Sequence, residues 1–140
     1  MSVIDFLGYD HVDCRVRLLA AVEAFYDDLM PVLGLTEKRY AYVDKNGVWH
    51  KEFEAYNTVE YYEPEHPTKP RRFFGVIEDP LHRNNDTRIA FRVDVASLAM
   101  LHTLLVNLGA RNVETNDEEM YKAIYFEDPM GTKLEFTGRA

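Results

Sequence analysis

The sequence predicts an α+β fold in which two tandem βαβββ modules form a cleft. A strand, a helix and three further strands follow one another twice along the 140 residues. Matching residues of the two copies are also separated by a fixed number of positions in the sequence. Three pairs are each 75 positions apart: Gly34 and Gly109, Leu33 and Leu108, and Glu60 and Glu135. Repetition at a fixed period indicates one supersecondary unit used twice.

The first module is predicted over residues 8–63. Apolar residues alternate over 9–16, which indicates a half-buried strand, and recur at helical spacing over 18–33. Gly34 follows as a helix-ending glycine. Three strand patterns come next, over 37–43, 48–53 and 58–63, and residues 45–47 form a turn between the first two.

Residues 64–86 are predicted to connect the modules. This stretch contains Pro64, Pro67, Pro70 and Pro80 and is polar, apart from an apolar run over 73–77. The run is expected to form an added strand or a flap. Connections of this length are more often functional than idle.

The second module is predicted over residues 87–137. It repeats the pattern with a strand over 88–93, a helix over 97–108, and strands over 111–114, 121–126 and 133–136. Ser97 is a candidate N-cap of the helix, and Gly109 follows its end. Residues 128–131 have the composition of a turn.

Composition excludes several functional classes. The net charge is −8 and no basic run exceeds two residues, whereas duplex binding needs a concentrated basic face. No apolar stretch approaches the roughly 20 residues of a membrane helix, and the N-terminus lacks signal-peptide features. The single cysteine, Cys14, allows no internal disulfide and is expected to be buried and inert. The simplest interpretation of the composition is a soluble cytoplasmic protein.

Alternation along the strands selects four polar positions. His11 and Arg88 are 77 positions apart on the first strands, and Glu60 and Glu135 are predicted on the last strands. Side chains on a strand alternate between its two faces, so these four are expected to lie opposite the apolar residues of their strands. The two sheet faces that carry them are predicted to enclose the site.

Several motifs resemble the vicinal oxygen chelate superfamily, which includes glyoxalases, bleomycin resistance proteins and dioxygenases. The motifs are Asp10-His11-Val12, Phe25-Tyr26, Leu33-Gly34-Leu35, and the closing run from Phe126 through Asp128-Pro129 and Gly131 to Leu134-Glu135. The likeness covers nearly the whole chain apart from residues 64–86, and the closing run is its most specific part.

The resemblance implies a divalent metal held by His11, Glu60 and Glu135. One imidazole and two carboxylates suit Zn²⁺, Mn²⁺, Fe²⁺ or Ni²⁺. It further implies a metal-dependent lyase, isomerase or dioxygenase acting on a small molecule chelated through vicinal oxygens. Glu135 or Glu60 would be the catalytic group that moves a proton. Such proteins commonly pair, so a homodimer is expected.

Arg88 departs from the pattern, because it stands where the superfamily often has its second histidine. A guanidinium stays protonated and cannot ligate a metal. Three ligands can still hold an ion, but Arg88 can also replace the ion between the carboxylates or bind an anionic substrate. The alternative function is therefore a metal-free small-molecule binding protein of the bleomycin-resistance kind.

Further residues are candidates for the wall of the pocket. Aromatic and aliphatic side chains dominate small-molecule sites, with a few polar groups among them. Ordinary packing or salt bridging is the competing interpretation for each. The substrate-binding candidates are Arg88, Arg92, His50, Tyr62, Tyr125 and Phe74, with Trp49 and Phe73 as additional wall residues.

Overall fold

The computed structural model describes residues 3–139, which form two sheets with few helices. The predicted α+β class with two modules is confirmed. The chain divides into two compact units. Unit 1 contains the chain up to Arg15 and Met30–Ile77, and unit 2 contains Val16–Leu29 and the chain from Glu78 onward.

Unit 1 is built on a five-stranded sheet in the order β1-β5-β4-β2-β3. A short 3₁₀ helix, Met30–Leu33, precedes the second strand. Alternation leaves one face of the sheet apolar and buried, with Val59, Tyr61 and Val76 all at most 2% exposed. The strands are β1 His11–Val16, β2 Glu37–Val43, β3 Trp49–His50, β4 Thr58–Tyr62 and β5 Phe73–Glu78.

The apolar run inside residues 64–86 forms β5, so the expected added strand is present. It lies between β1 and β4. The prediction that β4 is the last strand of the first module, and that Glu60 corresponds to Glu135, is therefore wrong. Glu60 pairs with Gly75 of β5, whereas Glu135, on strand β9 (Lys133–Arg139), pairs with Tyr125 on strand β8 (Tyr121–Glu127).

β5 lies next to β1 as β9 lies next to β6 (Arg88–Arg92), so these two strands correspond. Asp13 lies against Gly75, and Ala90, which is 77 positions after Asp13, pairs with Glu135, so Gly75 occupies in unit 1 the place that Glu135 occupies in unit 2.

Unit 2 is built on a four-stranded sheet in the order β6-β9-β8-β7. Helix α2 packs on β8 and β9, with Leu101 and Leu105 buried. The α-helices are α1 Glu23–Leu29 and α2 Leu98–Asn107, and the strands are β6 Arg88–Arg92, β7 Arg111–Asp117, β8 Tyr121–Glu127 and β9 Lys133–Arg139.

The helix predicted over 18–33 is shorter and is interrupted. A 3₁₀ turn, Leu19–Ala21, precedes α1, and the 3₁₀ helix Met30–Leu33 follows it. Pro31 lacks the amide hydrogen that an α-helix needs at that position. Gly34 ends the segment with φ = +86°, as predicted for a helix-ending glycine. At the second helix the Ser97 hydroxyl bonds to Asp94 and does not cap the helix, which corrects that expectation.

The turn over 128–131 is fixed by a buried carboxylate. Asp128 accepts hydrogen bonds from the backbone amides of Met130 and Thr132 and, at 2.6 Å, from the hydroxyl of Tyr26 on α1. Tyr26 and Asp128 are both 0% exposed. This explains physically why the closing motif needs its aspartate. Over the described residues, no helix is long and apolar enough to cross a membrane.

Candidate functional site

The polar face of the unit 1 sheet carries most of the predicted side chains of that unit. His11 and Asp13 project from β1, Glu60 and Tyr62 from β4, and Arg39 from β2. The register pairs Arg39 with Glu60 and Glu60 with Gly75, and paired residues share a face. Alternation therefore placed His11 and Glu60 on the same face of the sheet, as predicted.

His11 is surrounded by carboxylates. Its Nδ1 lies 2.8 Å from Asp10 Oδ2, and its Nε2 lies 3.6 Å from Asp13 Oδ2. The hydrogen bond to Asp10, followed by the charges of Asp13 and Glu60, raises the pKa of His11 above its ordinary value of 6.5. The imidazole therefore carries its proton to higher pH than a free histidine does.

Glu60 lies on this face beside Gly75, its register partner. Gly75 has no side chain, and a Cβ there would clash with Oδ1 of Asp13, which occupies the space above it. Partial burial of Glu60, with Asp13 nearby, raises its pKa above 4.5, while Arg39 and His11 oppose the shift. Among the residues that the structure describes, Glu60 has no hydrogen bond or salt bridge. Its carboxyl oxygens are therefore available to a ligand.

A row of stacked rings borders the same face. The ring of His11 stacks on Phe73 with centroids 4.4 Å apart, and Phe73 stacks on Tyr62 at the same distance. The guanidinium carbons of Arg39 and Arg71 lie 4.5 and 5.1 Å from the Tyr62 ring centroid. Cation–π contacts of this kind hold long side chains in place. The row is thus ordered by its own contacts.

An open groove of about 650 Å³ runs along β2 and β3 and reaches β4. This volume suits a small molecule. Trp49, which is 46% exposed, and Phe53, which is 68% exposed, present large apolar surfaces. Phe53 is held edge-on against Tyr40, with centroids 4.7 Å apart. The groove is lined by Arg39, Tyr40, Ala41, Trp49, His50, Lys51, Glu52, Phe53, Glu60 and Tyr62.

In unit 2 the corresponding face is centred on Glu135, which is only 5% exposed. The Tyr121 hydroxyl donates a hydrogen bond to Glu135 Oε2, and this bond raises the pKa of Tyr121 above 10.0. The guanidinium carbon of Arg139 lies over the ring of Tyr121, 4.6 Å from its centroid. The carboxylate is therefore buried with a phenol as its partner.

Arg88 lies on the same face of unit 2 but is not paired with Glu135. Its guanidinium carbon lies 4.7 Å from the Tyr125 ring centroid. Within residues 3–139, neither Arg88 nor Arg92 forms a salt bridge, so the interpretation of Arg92 as an ion-pairing residue has no support. Both guanidinium groups keep their hydrogen-bonding capacity for a ligand.

The donor groups were tested for fit to the divalent metal that the resemblance implies. Unit 2 supplies Glu135 with Arg88 at the usual histidine position, and unit 1 has Gly75 at the place that corresponds to Glu135. Over the described part of the chain, no group of three or more His, Cys, Asp or Glu side chains is arranged to hold a metal ion. Neither unit by itself provides a set of ligands that fits such a centre.

The remaining predicted residues divide between the face and the core. His50 and Tyr62 line the groove, and His50 Nε2 lies 3.0 Å from Asp44 Oδ2. Phe74 is 2% exposed because it lies on the buried face of β5, so its prediction as a wall residue is wrong, whereas Phe73, the other candidate on this strand, stacks on His11 at the polar face. Cys14 is buried, as expected.

The sequence does not single out several residues of these faces. Asp13 has the same parity on β1 as His11, which is the one signal that could have found it. Phe53 lies within a predicted strand, and no local pattern connects Tyr121 with Glu135. Gly75 could be found only from the pairing of β5 with β4 and from the approach of Asp13.

Comparison with known proteins identifies the fold. No protein-family model matches the chain. The fosfomycin resistance protein FosX from Listeria monocytogenes superimposes with a TM-score of 0.63 at 14% identity, over 97% of this chain and 96% of that chain. The same protein complexed with Mn(II) and sulfate gives 0.58 at 20% identity, over 97% and 95%.

A glyoxalase/bleomycin resistance protein from Albidiferax ferrireducens superimposes with a TM-score of 0.63 at 19% identity, over 94% of this chain and 98% of that chain. Identities this low establish shared architecture and leave activity open. The chain has the fold of the vicinal oxygen chelate proteins, as the sequence motifs predict.

Proposed function

We propose that this protein binds a small molecule without requiring a metal ion, in the manner of the metal-free members of the fold. The observation that carries the proposal is the groove of unit 1. It combines a volume of about 650 Å³ with exposed aromatic side chains, and half of its lining residues are charged side chains or histidine. The volume and the aromatic surfaces suit a small molecule, and the charged groups can orient it.

The groups at the expected metal positions support the same proposal. Arg88 replaces a potential imidazole ligand, and Gly75 stands where unit 1 would need a carboxylate. Glu135 already accepts a hydrogen bond from Tyr121. Each of these features reduces the number of groups available to an ion.

The chain contains one tryptophan, Trp49, and it lines the groove. Its emission therefore reports on the groove alone. A panel of small molecules of diverse charge and shape is titrated in the presence of EDTA, and a binding compound should shift or quench the emission. Phe53→Ala should weaken that binding because it removes one wall of the groove. Phe6→Ala, at a 76%-exposed ring outside the groove, is the matched control and should bind normally.

A compound that changes Trp49 emission only after Mn²⁺ or Zn²⁺ is added would contradict metal independence. If no compound changed Trp49 emission, with or without metal, a binding function for the groove would be contradicted.

The second candidate is a metal-dependent lyase, isomerase or dioxygenase. It is favoured by two FosX structures that contain Mn(II), one of them with sulfate and the other with a dihydroxypropylphosphonic acid. In that case His11 and Glu135 would be ligands and Glu135 would move the proton, because Glu60 does not occupy the position equivalent to Glu135. Arg88 and Arg92 would then bind the anionic part of the substrate. Turnover by the metal-loaded protein would support it over the first proposal.

The protein is further expected to form a homodimer in the cytoplasm. Sedimentation velocity measures the first expectation directly: a single species of twice the 16.3 kDa chain mass would support it.

A further inference from the structure

We propose that the groove of unit 1 recognises a flat aromatic cation, with Glu60 as the group that receives its positive charge. This inference rests on the proposed binding function and adds the class of ligand. It is carried by the position of Glu60 relative to the aromatic walls.

The carboxyl group of Glu60 lines the groove, and the described residues offer it no hydrogen-bond donor. A partly buried carboxylate without a partner is costly, and a donor that carries positive charge gives the strongest compensation.

The positive groups already present act on Glu60 only through space. The charges of Arg39 and His11 lower its pKa, but within residues 3–139 neither forms a hydrogen bond or salt bridge with it. Arg39 stacks on the Tyr62 ring at 4.5 Å. A ligand can therefore supply the charged donor that Glu60 lacks.

The shape of the groove suits a flat ring. Trp49 and Phe53 line the groove with exposed rings, and Tyr62 lines it on the same strand as Glu60. Ala41, which also lines the groove, has a short side chain that leaves room for a ring. Flat rings stack on aromatic walls, and a cation gains further from facing them. A flat cation thus satisfies both the aromatic side chains and Glu60.

Three acridines separate the contributions. Proflavine is a flat cation, acridine is neutral at mildly alkaline pH, and an acridine carboxylate is anionic. Each is titrated in EDTA against the wild-type protein while Trp49 emission is followed. Proflavine should bind most tightly and the carboxylate most weakly.

Glu60→Gln should weaken proflavine binding by roughly tenfold or more, since a charge-assisted hydrogen bond is lost. Acridine binding should stay unchanged. Glu54→Gln removes the same charge from an exposed site outside the groove and is the matched control, expected to bind proflavine normally. Thermal melts check that both variants fold.

Preference for the carboxylate over proflavine, or equal proflavine binding by wild type and Glu60→Gln, would overturn the inference. If no acridine binds but another compound of the panel does, the ligand class is wrong and the binding function survives. If nothing binds, the proposed function itself fails.

Discussion

The Tyr26→Phe substitution removes the buried hydroxyl that donates a hydrogen bond to Asp128, and so tests how the turn over residues 128–131 is stabilised. In Tyr26→Phe, Asp128 Oδ2 loses the donor that lies 2.6 Å away, while Oδ1 keeps the amides of Met130 and Thr132 at 2.8 and 3.0 Å. Both Tyr26 and Asp128 are fully buried, so water does not replace the lost bond. The ring itself remains and no large cavity opens.

The expected cost follows from the charge of the acceptor. A hydrogen bond to a charged group contributes about 1.5–3 kcal/mol. For a chain of this size that corresponds to a decrease in Tm of roughly 5 °C or more. Urea unfolding followed by far-UV circular dichroism measures the free energy, and the slope should stay unchanged if only stability is affected.

Tyr9→Phe is the matched control. It makes the same chemical change at a side chain that is 81% exposed, and it should alter the free energy of unfolding by less than about 0.5 kcal/mol. If Tyr26→Phe also changed the free energy of unfolding by less than about 0.5 kcal/mol, the Asp128 carboxylate would not depend on the hydrogen bond from the tyrosine.

Three further predictions concern packing, pH and metal affinity. Gly138→Ala should cost about 1–3 kcal/mol in urea unfolding, because its Cβ would approach backbone atoms of Val95 at 3.2 and 3.3 Å; an unchanged midpoint would contradict the close packing. His11 has a raised pKa, caused first by Asp10, so its contribution to stability is present below pH 6.5 and is lost as pH rises through the folded-state pKa. The stability difference between wild type and His11→Asn should therefore be larger at mildly acidic than at mildly alkaline pH, and the reverse order would refute the assignment. Arg88→His should increase Zn²⁺ affinity in calorimetry by supplying an imidazole, whereas no gain would show that Arg88 is not the obstacle.

The sequence was sufficient for the repeated architecture because alternation and helical spacing are local properties. β2 has the predicted bounds, and the turn before β9 and the glycine after the first helix are also where the pattern put them. The polar faces followed as well, since side-chain parity along β1 and β9 places His11 and Glu135 opposite their apolar neighbours.

Pairing between strands could not be predicted with the same accuracy. The 75-residue spacing of Glu60 and Glu135 suggested equivalent strands, yet β5 separates β4 from β1. A short apolar run among prolines gives no local sign of which strands it joins. Phe73 and Phe74 were both wall candidates, and only Phe73 lies on the polar face, because neighbouring residues of a strand point to opposite faces.

Contacts within the candidate site were the least predictable. The bond between Tyr121 and Glu135 joins residues 14 positions apart on adjacent strands, and the approach of Asp13 to Gly75 depends on the missing side chain. Both require the three-dimensional register. Residue type alone marked Arg88 as unusual, because no arginine can serve as a ligand.

Metal independence is tested by the metal content of protein purified without chelator, measured for the wild type and for Glu135→Gln. Neither protein should contain a stoichiometric divalent ion, even after incubation with Zn²⁺, Mn²⁺, Fe²⁺ and Ni²⁺ and removal of the excess. About one ion per chain in the wild type that is lost in the variant would contradict metal-free binding and favour the metal-dependent enzyme.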